Sequence, residues 1–177
     1  KFIGLESNDL KTIDEILKSQ DGSSNYSNIG GSIAYAFTIS CIDSASKSLN
    51  LSFYKVLNPK IDKINFTFPL GNMLGGGAHS GSGTPDLQEY LVCPVGAKSI
   101  FEALEINSKI HKELKKDIEK IDPKFTCGKG DEGAWAPTID NDKAVETLER
   151  TIQTCGYDVE TDVSLEIDFE GTSLLNP

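Results

Sequence analysis

Three groups of carboxylates and one histidine stand where they could do chemistry. Glu89 follows Gln88 at the head of an apolar run, "LQEYLVCP", just after a stretch rich in glycine, "GNMLGGGAHSGSG". That stretch holds His79, one of two histidines in the chain. Asp131 and Glu132 lie between glycines in "GDEGAWAP", beside the single tryptophan, Trp135. Glu166, Asp168 and Glu170 alternate with Leu165, Ile167 and Phe169 in "VSLEIDFE". A carboxyl group near an apolar ring and other carboxylates has a raised pKa, which suits a general acid. Clustered carboxylates that stay ionised need lysines or a metal, and hard oxygen ligands favour Mg²⁺. Each motif also has a plain reading. "GDEG" serves as an acidic turn, "QE" before a strand says little, and the last alternation suits a solvent-facing edge as well as a barrel strand turned into a site. Three consecutive glycines before His79 let backbone approach or close over a ligand. Neither GxGxxG nor GK[ST] occurs there, which argues against a nucleotide phosphate cradle.

The elements that must position these groups are legible in outline. Residues 8–19 read as a helix capped by Asn8, with Leu10, Ile13, Ile16 and Leu17 on one face. A polar loop over 20–28 precedes a second helix over 30–49, whose face carries Ile33, Phe37, Cys41, Ser44 and Ala45. After Pro59 the pattern changes. "KINFTFPL" reads as a strand ended by Pro69, and "LQEYLVCP" as a strand ended by Pro94. Residues 98–120 form an amphipathic helix with Ala103, Ile106, Ile110, Leu114 and Ile118 on its stripe. His111 reads as an exposed residue of its charged side. Asp140 or Asn141 caps another helix, closed by Gly156, before the final strand. Long helical connections predict that the later strands run parallel, as in α/β folds.

A chain of 177 residues suits one ordinary domain or two small ones. Its formal net charge of −10 disfavours nucleic acid and anionic membranes as partners, since both call for a basic surface. No apolar run reaches the roughly 20 residues that span a bilayer, and the first residues lack the apolar core of a signal peptide. Cys41, Cys93, Cys127 and Cys155 stand apart without metal-like spacing; Cys41, Cys93 and Cys155 lie in apolar stretches and read as buried thiols, in keeping with a reducing cytoplasm.

Taken together, "FPLGNMLGGGAHS", "DLQEYLVCPVGAKSIFEAL", "GDEGAWAP" and "VSLEIDFEGTS", in that order, resemble the enolase family (phosphopyruvate hydratase) of archaeal type. The earlier "NIGGSIAYAFTISCIDSASKSLNLSFYKVL" is similar to the helix pair before the family's barrel. The resemblance covers nearly the whole chain. It implies an α/β fold in which residues 1–60 end an α+β N-terminal capping domain and residues 61–177 open an incomplete (β/α)8 barrel. It also implies Mg²⁺-dependent dehydration of 2-phospho-D-glycerate to phosphoenolpyruvate, a homo-oligomer and a cytoplasmic location. Residue by residue, Glu132 matches the acid that protonates the departing hydroxyl, and Glu89 its carboxylate partner with Gln88 beside it. His79 matches the histidine of a mobile loop that closes on substrate, and Asp168 the first of three metal carboxylates. Two departures stand out: Gly75 where many members have Asn, and Phe169-Glu170-Gly171 where small residues are usual. The family's proton-abstracting lysine, its other metal carboxylates and its phosphate-binding cations fall beyond this chain. The competing readings are a non-catalytic metal-binding or protein-interaction module, and another lyase or isomerase of the superfamily.

Overall fold

The computed structural model describes residues 2–171, and the chain forms two compact units on either side of the Asn65/Phe66 junction. The first unit is helical, with α1 (Leu10–Asp21), α2 (Gly31–Leu49) and α3 (Phe53–Leu57). Asp9, not Asn8, caps α1: its carboxylate accepts from the Thr12 N–H at 3.2 Å. The helix ends at Asp21, whose buried carboxylate takes N–H bonds from Ser23, Asn28 and Ile29 and so folds the polar loop around itself. On α2 the buried residues are Ala34, Ile42 and Ala45, whereas Ile33 is 64% exposed. Alanine and serine leave this helix without a dominant apolar stripe, so contacts with α1 and α3 select the buried face and periodicity does not.

The second unit holds a three-stranded sheet in the order β1 (Gly71–Gly75), β2 (Glu89–Cys93) and β3 (Ser164–Asp168). Two helices, α4 (Ile100–Ile121) and α5 (Asn141–Thr154), lie between β2 and β3 in sequence. Two expectations are overturned. "KINFTFPL" forms no strand, and β1 lies in the glycine-rich stretch instead. β2 also pairs with β3 antiparallel, as it does with β1, so the long helical connection does not return a parallel neighbour. Glycine has poor strand propensity, but β1 is bonded on both sides, to β2 and to the Trp135 backbone, and those partners decide its conformation.

One face of the sheet packs on the helices. Tyr90, Val92, Leu165 and Ile167 join Ile106, Ile110, Leu114 and Ile118 of α4 and Ala144, Leu148 and Ile152 of α5 in one core. Side chains alternate along a strand, so Glu89, Leu91, Glu166 and Asp168 fall on the opposite face. Both helices begin on side-chain caps, Ser99 for α4 and Asp140 for α5. α5 closes at Cys155, and Gly156 follows with φ +86°.

A buried polar link joins α4 to α5. Thr151 Oγ1 donates to Asp117 Oδ2 at 2.8 Å, and Lys120 Nζ donates to Oδ1 at 2.7 Å. Burial pushes the Asp117 carboxyl up, but the bonds from Lys120 and Thr151, with the charges of Lys120 and Arg150, outweigh it and hold the group below its usual value. A lowered folded pKa stabilises the fold above the unfolded value of about 4, and that stabilisation is lost as pH falls through the folded value. Asp117→Asn is therefore expected to cost about 1–3 kcal/mol at neutral pH. In urea titrations the gap between wild type and variant should narrow below about pH 4. A gap independent of pH would assign the effect to packing.

Candidate active site

Segment 128–136 docks on the outer edge of β1. The Gly75 N–H donates to the Trp135 carbonyl at 2.9 Å, and the Trp135 N–H to the Met73 carbonyl at 3.1 Å. Across the segment Gly130 N–H meets Ala134 O and Ala136 N–H meets Gly128 O, which closes a tight turn at 130–133. Asp131 and Glu132 form the tip. The acidic-turn reading thus describes its backbone, while its docking aims Glu132 at β1. Trp135 holds the base: it is 7% exposed, its ring meets Phe125 edge-on at 5.9 Å, and Lys129 Nζ lies 4.3 Å from the ring centre. His111 is not the exposed residue expected. It is half-buried, with its ring stacked on Trp135.

Asn72 brings the carboxylates together. Its Nδ2 lies 3.1 Å from Glu89 Oε1 and 3.1 Å from Glu132 Oε2. An amide nitrogen only donates and a carboxyl oxygen accepts, so Asn72 turns its nitrogen to both and donates one N–H to each. Asn72 pairs with Leu91 in the β1–β2 register, and Glu89 pairs with Asp168 in β2–β3. Directly opposed residues share a face, so Asn72, Glu89 and Asp168 rise from the side of the sheet away from the helices. Glu132 reaches that side from the docked turn. The Asn72 Oδ1 and Gln88 Oε1 atoms are buried and have no hydrogen-bond partner among the described residues. Nothing in the local spacing marks Asn72 as a site residue. The available signal was a lone amide inside an otherwise apolar and glycine strand, "GNMLG".

His79 ends a 3-10 turn, Gly77–His79, which follows β1 almost at once; its side chain lies outside the described part of the structure. The return of this loop is fixed at α5. Asn141 Oδ1 accepts from the Asp86 N–H and from the Tyr90 hydroxyl, each at 2.8 Å. Burial, then the charges of Asp86, Asp142 and Asp140, push Tyr90 up to about 12, so its phenol remains a donor. Between these anchors, residues 77–78 and 81–86 border an open depression of ≈ 370 Å³.

Among the described residues no three His, Cys, Asp or Glu side chains come together as a metal ion needs. Asp168 offers one carboxylate, which is not a metal centre by itself.

A sheet with helices on one face and acidic and amide side chains on the other is a mixed α/β layer whose uncovered face can carry a site. Residues 63–175 match the family described as "Enolase, C-terminal TIM barrel domain". The chain is 47% identical over 146 residues to the enolase of Methanosphaera stadtmanae, covering 82% of this chain and 35% of that one. It is 37% identical over all 177 residues to the enolase of Methanothermobacter thermautotrophicus, 42% of whose length it spans. A bacterial enolase, from Wolinella succinogenes, is 30% identical across 99% of this chain and 41% of its own. The chain belongs to the enolase family. It spans about two fifths of the length of these relatives and carries an incomplete barrel. No helix among the described residues is long and apolar enough to cross a membrane.

Proposed function

We propose that this chain is the middle of a phosphopyruvate hydratase, in which Glu132 is the general acid for dehydration of 2-phospho-D-glycerate. The observation that supports it most is the placement of Glu89 and Glu132 on the two N–H bonds of one amide. In the reaction a base supplied by the rest of the protein removes the proton at C2, the C3–O bond breaks and a C2=C3 bond forms. Glu132 gives its proton to the departing hydroxyl, which leaves as water. Glu89 stands beside it as its carboxylate partner, oriented by the same amide. The unpartnered Asn72 Oδ1 and Gln88 Oε1 are acceptors that suit a substrate hydroxyl or a lysine donor.

His79 would close over the substrate on the 75–83 loop, with Gln88 and Glu89 lining the other side. Mg²⁺, held by Asp168 and two carboxylates from elsewhere in the protein, would supply electrostatic stabilisation of the enolate. In this reading residues 1–60 end the capping domain and 61–177 open the barrel, and the whole protein is a cytoplasmic homo-oligomer.

The test is phosphoenolpyruvate formation, followed by its ultraviolet absorbance, in the full-length protein that carries this chain. Asn72→Leu, which removes both N–H bonds and keeps the volume, should lower kcat about 10–100-fold, since misorientation of about 1 Å costs about 10²-fold. Wild-type turnover in that variant would remove the shared amide from the mechanism. An inactive full-length protein would favour the non-catalytic module.

A further inference from the structure

The turn that carries Glu132 is held from α4 as well as from β1. Trp135 Nε1–H donates to the His111 carbonyl at 2.8 Å. The His111 ring lies over the Trp135 ring, with centroids 4.8 Å apart and 22° between planes. Nε2 of the same ring is 3.2 Å from the carbonyl oxygen of Gly133, the residue after Glu132. A carbonyl oxygen only accepts, so Nε2 bears the proton and donates. Burial pushes His111 down and the charge of Lys129 acts in the same direction, against the Gly133 bond. The ring is therefore neutral near pH 7 in its Nε2–H form. Gly133 has φ +82°, and a Cβ there would meet nothing within 4 Å.

We propose that His111 is a positioning residue for Glu132. Through the Gly133 carbonyl it sets the height of the 130–133 turn over β1, and so the distance from the Glu132 carboxyl to the Asn72 amide. This inference rests on the reading of Glu132 as the acid.

The experiment uses the full-length protein. His111→Phe keeps a ring on Trp135 and removes the donor, whereas His111→Gln restores a donor without the stack. His111→Phe should lower kcat for phosphoenolpyruvate formation about 10–100-fold, the scale of a misplaced catalytic group, with KM within about twofold. His111→Gln should recover most of that loss. In a cycle with Glu132→Gln, adding His111→Phe should cost less than about twofold, because both changes act on one proton transfer. Wild-type kcat in His111→Phe, equal losses in both His111 variants, or losses that multiply in the cycle would overturn the proposal. If the wild-type protein forms no phosphoenolpyruvate, the assignment of the acid fails separately. Hydrogen exchange of residues 128–136 then decides whether His111 holds the turn. Faster exchange in His111→Phe but not in His111→Gln supports that hold, and unchanged exchange in both removes it.

Discussion

Glu132→Gln in the full-length protein is expected to lower kcat for phosphoenolpyruvate formation about 10²–10⁴-fold, the range for loss of a positioned general acid. The substitution is chosen for what it preserves. A glutamine oxygen still accepts from Asn72, which now bonds Glu132 Oε2 at 3.1 Å, and the docked 128–136 segment is untouched. What disappears is the carboxylic proton. An acid that acts on the leaving group matters in the transition state more than in the ground state, so KM should change little while kcat falls. A loss under about tenfold would place the acid elsewhere, with Glu89 as the first alternative because it shares the amide. A matching rise in KM would instead make Glu132 a binding group.

Gly76→Ala is expected to destabilise the protein by about 1–3 kcal/mol through overpacking and to abolish most turnover. The reason is space rather than dihedral angle. Gly76 is extended, with φ −147° and ψ −156°, a conformation open to any residue. A Cβ there would run into the backbone carbonyls of Pro85 and Leu87, which rigid chain cannot readily yield. The Gly76 N–H also donates to the Gln88 carbonyl at 2.9 Å, so pushing the two segments apart moves the strand that begins at Glu89. Gly77→Ala is the control. Gly77 has φ +57°, yet its Cβ would come no nearer than 3.4 Å, to Asp86 O. Its cost should be the left-handed penalty of about 1–2 kcal/mol, with turnover largely kept. Urea titrations and the absorbance assay compare the two. Equal activity in both variants would show that the loop, not the neighbouring carbonyl pair, absorbs the change.

Much of the second unit follows from local sequence. The stripe of Ala103, Ile106, Ile110, Leu114 and Ile118 predicts α4, and all five residues are buried in it. Asp140 or Asn141 marks the start of α5, because a side-chain oxygen next to a helix start takes an orphan N–H, and Asp140 is the one that does so. Leu165 and Ile167 pack on the core and Glu166 and Asp168 do not, as an alternating strand requires. These features depend on residues a few positions apart, and such spacing is written in the chain. Membership of the enolase family was legible for the same reason, since its motifs are short and stand in order.

Other features required partners distant in sequence. A strand at Gly71–Gly75 arises because β2 and Trp135 offer backbone bonds on both edges, which the glycines' own propensities oppose. Antiparallel pairing of β2 with β3 depends on how the α4–α5 connection travels, and side-chain periodicity is identical in either direction. His111 sits on a charged helix and gains its role only when Trp135, 24 positions on, folds over it. Asn72 is an amide among glycines until β2 brings Glu89 beside it and a turn 60 residues away brings Glu132. By itself the sequence determined which residues could be acid, helix or strand. The tertiary structure decided which of them meet, because hydrogen bonds and packing act across space and carry no marker in the spacing along the chain.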